Sequence, residues 1–304
     1  MFQLNGKSAL KILLGLVFIV SAVLKILEMD HFEIYIYSFH FFSLNFSFLV
    51  ARAAVIIELV LGIGLIANYL HKLIWWGSVA MLVGYSLLLM YAIAVGRTDS
   101  CHCFGDFLQL DPKQSLIKNA VLLGLFLLIY NTEGWETPFR WLMLCLSIMV
   151  STIGVFLISP PDNYASNDAQ EHNLQVELFD EMLNNPPLDQ LDLREGKQIF
   201  CFLSTSCDYC EMAARKLTLM QQFYNFSPKR ITFAFIGSKE GVRRFFKESD
   251  SERYRTLHFY DVAVFLKAVN GNLPVIVLMQ DGEVVREYGF RDMDEEEIKE
   301  FMVS

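Results

Sequence analysis

Five stretches of this 304-residue chain stay apolar for about the length a helix needs to cross roughly 30 Å of hydrocarbon: residues 8–27, 48–70, 73–95, 115–130 and 139–158. The pattern then breaks. "SPPDNYASNDAQEHN" holds too little apolar material to pack and several turn formers, and it predicts a tether over residues 160–174. Beyond it the apolar positions come in shorter blocks. "QIFCFLS" and "ITFAFIG" read as buried strands and "CEMAARKLTLMQQFY" as an amphipathic helix; "PVIVLMQ" and "EVVREYG" read as a hairpin about Asp281 and Gly282, and "DEEEIKEFM" as a closing helix. The order strand, helix, strand, helix, hairpin, helix predicts a mixed sheet covered by helices. The expected fold is an α-helical membrane bundle of four to five transmembrane helices over residues 1–159, then an α/β domain over residues 175–304.

Composition supports this division. With 54% hydrophobic residues the chain has more apolar material than a water-soluble domain of its size buries, and its formal charge of -9 gathers in residues 161–304. No basic stripe with interleaved aromatics is present, so a nucleic acid is not an expected partner. The first apolar run follows Lys7, contains Lys11 and has no small-residue cleavage site, which predicts an uncleaved signal anchor. With the N-terminus inside, Lys7, Lys11, Lys72 and Arg140 are cytoplasmic, and Asp30, Glu33, Asp99, Asp106, Asp111 and the acidic tail lie outside; Arg97 and Lys113 run against this bias. The expected location is the inner (cytoplasmic) membrane, with the C-terminal domain in the periplasm or outside. Thiols there can form lasting disulfides.

Four of the six cysteines come in two close pairs, Cys101 and Cys103 in "SCHCFG" and Cys207 and Cys210 in "CDYC". A strand before "CDYC", a helix opening on it, and Leu273–Pro274 entering a distant strand resemble the thioredoxin fold over residues 175–304. A cysteine in the first helical turn faces unpaired backbone N–H groups and the positive end of the dipole, which lowers its pKa. Cys207 is then the attacking thiol, and Cys210 resolves the mixed disulfide. The resemblance implies a cis-proline at Pro274 beside the pair, leaving backbone groups free to receive an extended substrate chain. The competing reading is a structural disulfide or half a zinc site; no second pair of ligands follows at zinc-site spacing. Six residues before Cys207, where thioredoxins carry a buried acid, stands Cys201, expected as a core residue. Asp208, which with Tyr209 separates the two cysteines, opposes thiolate formation at Cys207 and inclines the pair toward reducing chemistry.

The N-terminal part, through "GLVFIVSAVLKILE", "IIELVLGIGLIA" and "CHCFGDFLQLDPKQSLIKNAVLL", resembles the DoxX-like and MauE-type membrane redox proteins. The last segment is the most specific, with Cys101, Cys103, Phe104, Gly105, Lys118 and Asn119 in the family's pattern. The resemblance implies thiol-disulfide chemistry outside the cytoplasm. A disulfide between residues i and i+2 closes a small strained ring and accepts electrons readily, and His102 can supply a proton or stabilise a thiolate near neutral pH. Soft-metal ligation by Cys101, His102 and Cys103, and an inert loop, are the alternatives.

Charges inside the membrane are expensive, which singles out Lys25, Glu28, Arg52 and Glu58. Lys25 and Glu28 sit one turn apart, close enough to pair; Glu58 is expected to pair with Arg52 inside the bundle or to carry protons beside a quinone. Cys145 is expected to pack within the bundle, and His71 to lie near the cytoplasmic side or inside. The function expected is a membrane-bound thiol-disulfide oxidoreductase passing electrons between the Cys101/Cys103 loop, the Cys207/Cys210 pair and cysteine-containing extracytoplasmic client proteins, in the reducing direction. Membrane lipid and other membrane subunits are further expected partners. A quinone-linked disulfide oxidase, and a non-enzymatic assembly or chaperone subunit gripping a partner at Pro274, are the alternatives; a quinone is the one cofactor considered.

Overall fold

The computed structural model describes residues 6–96, 111–130, 138–161 and 174–303. It divides into two units, Met1–Pro161 and Asp162–Ser304. The Cys101/Cys103 loop and most of the expected tether lie outside the described residues.

Among its described residues the first unit contains five helices long and apolar enough to cross a membrane: α1 (Gly6–Leu27), α3 (Leu44–Ala67), α4 (His71–Ala94), α5 (Pro112–Ile129) and α6 (Arg140–Ile158). Helices α1 and α3 approach closely because two glycines face each other. A methyl added to Gly15 would stand 2.8 Å from the Gly62 carbonyl oxygen, and one on Gly62 would stand 2.9 Å from that of Gly15. Larger residues would push the helices apart. Helix α5 starts on a capping box between Asp111 and Gln114, with Pro112 in its first turn.

Side-chain bonds define the two ends of the bundle. At one end Trp75 Nε1 donates to the Phe126 carbonyl at 2.9 Å, and the hydroxyls of Tyr69 and Ser147 lie 2.7 Å apart. At the other, Asn119 Nδ2 of α5 donates to Ser86 Oγ of α4 at 3.3 Å, and Arg52 of α3 donates to the carbonyls of Ser159 at 2.9 Å and Pro160 at 2.8 Å. Arg52 thus satisfies carbonyls that the end of α6 leaves without helical partners. Helices α4 and α6 therefore both finish at this second end.

Several expectations about the bundle need correction. A short helix, α2 (Met29–Tyr37), follows α1 where an outer loop was expected. Glu33 lies on its buried face, 1% exposed, and pairs with Arg52. Glu58 instead pairs with Lys25 at 2.5 Å, and Ser21 Oγ also accepts from Lys25 at 3.1 Å. The expected Arg52–Glu58 and Lys25–Glu28 pairs are thus replaced by Arg52–Glu33 and Lys25–Glu58. The reason is steric: α2 packs on α3 and brings its own acid to Arg52, and the close α1–α3 crossing brings Lys25 to Glu58. Cys145 is exposed on α6, because that helix buries only Ser147, Ser151 and Val155 among its described residues and Cys145 lies on another face.

The second unit contains α7 (Val176–Leu183), β1 (Lys197–Ser204), α8 (Asp208–Tyr224), β2 (Ile231–Ile236), α9 (Lys239–Ser249), β3 (Arg255–His258), α10 (Val262–Ala268), β4 (Val275–Gln280), β5 (Glu283–Tyr288) and α11 (Glu295–Val303). The sheet order is β3-β2-β1-β4-β5; β1 runs parallel to β2 and antiparallel to β4. Strand β1 is buried on both faces, which explains its unbroken apolar run. Phe200 and Phe202 pack with Phe179 and Phe265 on one face, so by alternation Ile199, Cys201 and Leu203 take the other. The hairpin turns at Asp281 and Gly282, with φ of 52° and 88°, the paired positive values that favour a two-residue connection. Where one helix was expected between β2 and the hairpin, the chain forms α9, β3 and α10. Strand β3 has four residues at the sheet edge, too short to give an alternating signal.

Candidate active site

Strand β1 ends at Ser204, and Cys207 becomes the N-cap of α8 with extended backbone, φ −111° and ψ 109°. Its sulfur accepts the backbone N–H of Cys210 at 3.1 Å, while its carbonyl accepts from Cys210 and Glu211 at 3.1 and 3.2 Å. A sulfur so placed shares a first-turn N–H donor with its own carbonyl and meets the positive end of the helix dipole, both of which favour thiolate over thiol. Cys207 and Cys210 are joined as a disulfide, with Cα atoms 5.2 Å apart. They differ in access. Cys207 is half-buried and Cys210 fully buried, so an incoming sulfur meets Cys207 first.

The Leu273–Pro274 bond is cis, and the Leu273 carbonyl oxygen lies 3.9 Å from Cys207 Sγ. The expected neighbours Cys207, Asp208, Tyr209, Cys210, Leu273 and Pro274 are therefore gathered at one end of the sheet, where β1 ends and β4 begins. Asp208 is exposed in the first turn of α8, and Tyr209 is 46% exposed. Arg52 and Glu58 belong to the first unit; Cys101, His102 and Cys103 lie outside the described residues. Cys201 is fully buried, and desolvation pushes its thiol well above the ordinary range. It remains protonated at neutral pH and is a packing residue.

Sequence reading missed a second group. The Tyr209 ring packs at a tilt against Phe290 with centroids 5.2 Å apart, and the Arg291 guanidinium carbon lies 5.5 and 5.7 Å from the two ring centroids. Lys216, 1% exposed, places its ammonium 3.8 Å from the Phe290 centroid and donates to the Phe290 carbonyl at 3.1 Å. The turn after β5 is closed by Gly289 N–H donating to Asp292 Oδ1 at 2.6 Å, and burial raises the Asp292 carboxyl above its usual range. The one available signal was spacing: Lys216 stands seven residues after Tyr209, hence on the same face of α8. Nothing local marks 290–292 as its partner.

A half-buried sulfur at a helix N-terminus, a second sulfur one turn inside and a cis-proline alongside, on a domain joined to five apolar helices, define a multi-pass membrane thiol-disulfide oxidoreductase. Comparison with known proteins makes the likeness particular. Residues 6–131 match the family model described as methylamine utilisation protein MauE. The chain is also similar to Protein TlpB of Flavobacterium psychrophilum, 24% identical over 293 residues and covering 80% of each chain. Among solved structures, a secreted Mycobacterium tuberculosis disulfide oxidoreductase homologous to E. coli DsbE aligns with a TM-score of 0.30 and 15% identity over 37% of this chain and 84% of that one. The thioredoxin domain of a Bacteroides vulgatus thiol-disulfide oxidoreductase aligns with a TM-score of 0.30 and 16% identity over 36% and 82%.

Proposed function

We propose that this protein exchanges disulfides with cysteine-containing client proteins outside the cytoplasm from a site tethered to the inner membrane, and that the Cys101/Cys103 loop is its electron partner in the bundle. The observation that carries this reading is the placement of Cys207: its sulfur accepts the Cys210 N–H at a helix N-terminus while remaining partly open beside Leu273. In the reducing direction, the Cys207 thiolate attacks a client disulfide and the client's leaving sulfur takes a proton. Cys210, once deprotonated, then attacks Cys207 and releases the second client thiol. The client gains two electrons and two protons, and the Cys207–Cys210 disulfide forms. A dithiol at Cys101/Cys103 would restore the pair by the same exchange.

Removing the resolving thiol tests this. Full-length Cys210→Ser should accumulate mixed disulfides through Cys207 with extracytoplasmic proteins, and Cys207→Ser should accumulate none. Activity that persists in Cys207→Ser would instead favour the chaperone role.

One observation favours a second reading, in which a quinone withdraws electrons and the same thiols oxidise clients. A cleft of about 140 Å³ lies among α1 to α4, lined by Phe32, Tyr35, Phe39, Phe41, Leu88 and Leu89 among others. It is close to the size that accepts a single six-membered ring. The reduction potential of the Cys207/Cys210 pair separates the readings. The exposed Asp208 beside Cys207 favours a value near that of thioredoxin, about −270 mV; a value near about −120 mV, typical of a strong disulfide donor, would support the quinone-linked oxidase.

A further inference from the structure

We propose that helix α9 is a docking face for anionic lipid headgroups and holds the redox domain against the membrane surface by charge alone. Residues 228–258 carry eight Lys or Arg against four Asp or Glu, whereas the rest of the second unit carries eight against 21. One strip of an acidic domain is therefore basic. Its centre is α9, where Lys239, Arg243 and Lys247 recur every four residues and so share one side of the helix, over about 12 Å at 1.5 Å per residue. All three are exposed, and none forms an ion pair among the described residues. The acids Glu240 and Glu248 stand on the neighbouring side with Arg244 between them, and Asp250 is engaged by Arg215 and Arg253.

The apolar side of α9 is already engaged, since Phe245 and Phe246 pack on Phe235 with ring centroids 4.8 and 5.8 Å apart. What remains on offer is charge, so contact with lipid is made at headgroup level without insertion. An anionic bilayer is the occupant this strip fits. The chain itself brings lipid to the domain, because its first unit has five helices long and apolar enough to cross a membrane. The acidic remainder of the second unit is repelled by an anionic surface, so the field that attracts α9 also selects which face turns toward it. The redox site feels the consequence. Strands β1 and β2 are parallel, so α9 starts at the end of the sheet that carries Cys207. A methyl added at Gly237 or Gly241 would collide with Thr205, two residues before that cysteine. Docking α9 therefore sets the height of Cys207 above the headgroups.

The test places the full-length protein in nanodiscs of phosphatidylcholine alone or mixed with phosphatidylglycerol, and maps reductive methylation of its lysines by mass. Lys267, exposed on α10, serves as the internal reference. With phosphatidylglycerol present, Lys239 and Lys247 should react at least about threefold more slowly relative to Lys267. Salt at about 1 M, which shortens the screening length to about 3 Å, should remove the difference. Arg243→Glu should abolish the protection, and Arg243→Lys should keep it. Equal ratios in the two kinds of disc would overturn the proposal and leave the strip to an acidic protein partner. Protection that survives high salt or Arg243→Glu would overturn it as well. No thiol takes part in this readout, so its outcome is independent of the exchange role.

Discussion

Cys207 and Glu58 show how differently single residues can be read from a sequence. The role of Cys207 depends on a strand that ends three residues before it and a helix that starts one residue after it, and both are local patterns. Glu58 depends on which neighbouring helix turns a cation toward it, and sequence spacing carries no such information; hence its true partner is Lys25, 33 residues away, and not Arg52. Arg291, Phe290 and Lys216 escaped notice for a similar reason, since their contacts join α8 to a turn some 75 residues later. The Lys25–Glu58 pair yields a prediction. Both groups are nearly inaccessible, so Glu58→Ala would leave an uncompensated buried cation and should destabilise the bundle by about 3–5 kcal/mol. Replacing both residues with leucine and methionine should recover most of that loss. Thermal unfolding in detergent checks the comparison, and equal destabilisation of the single and double variants would show that the pairing itself contributes nothing.

Among the elements, the five long helices are legible because a membrane crossing needs a long apolar run whatever the protein buries, and the strands β1, β2 and β4 because their apolar residues are buried. Strand β1 is apolar throughout because both of its faces are covered. The hairpin is legible because Asp-Gly permits the two positive φ angles its turn needs. Helix α2 was hidden in "MDHFEIYIY", whose near alternation suggests no helix and whose buried acid looks like a loop charge until Arg52 is placed opposite it. Strand β3 has no pattern of its own; it is held by parallel pairing with β2 from Thr232–Arg255 to Phe235–His258. Tertiary context decides such elements, and sequence propensity does not.

At the scale of the whole chain, five described helices long and apolar enough to cross a membrane, followed by an acidic second unit, make a multi-pass membrane protein with a redox domain. The sequence suggests the division because lipid and water demand different compositions on either side of the break. The bundle adds that α4 and α6 finish at the same end. The proposed electron path requires the tether expected over residues 160–174 to let Cys207 reach the Cys101/Cys103 loop. The most direct measurement is peptide mass mapping of full-length Cys210→Ser in its native membrane, searched for a disulfide from Cys207 to Cys101 or Cys103. The proposed electron path predicts that this internal bond forms and disappears on reduction. Adducts between Cys207 and clients alone, with Cys101 and Cys103 never linked to it, would contradict that path.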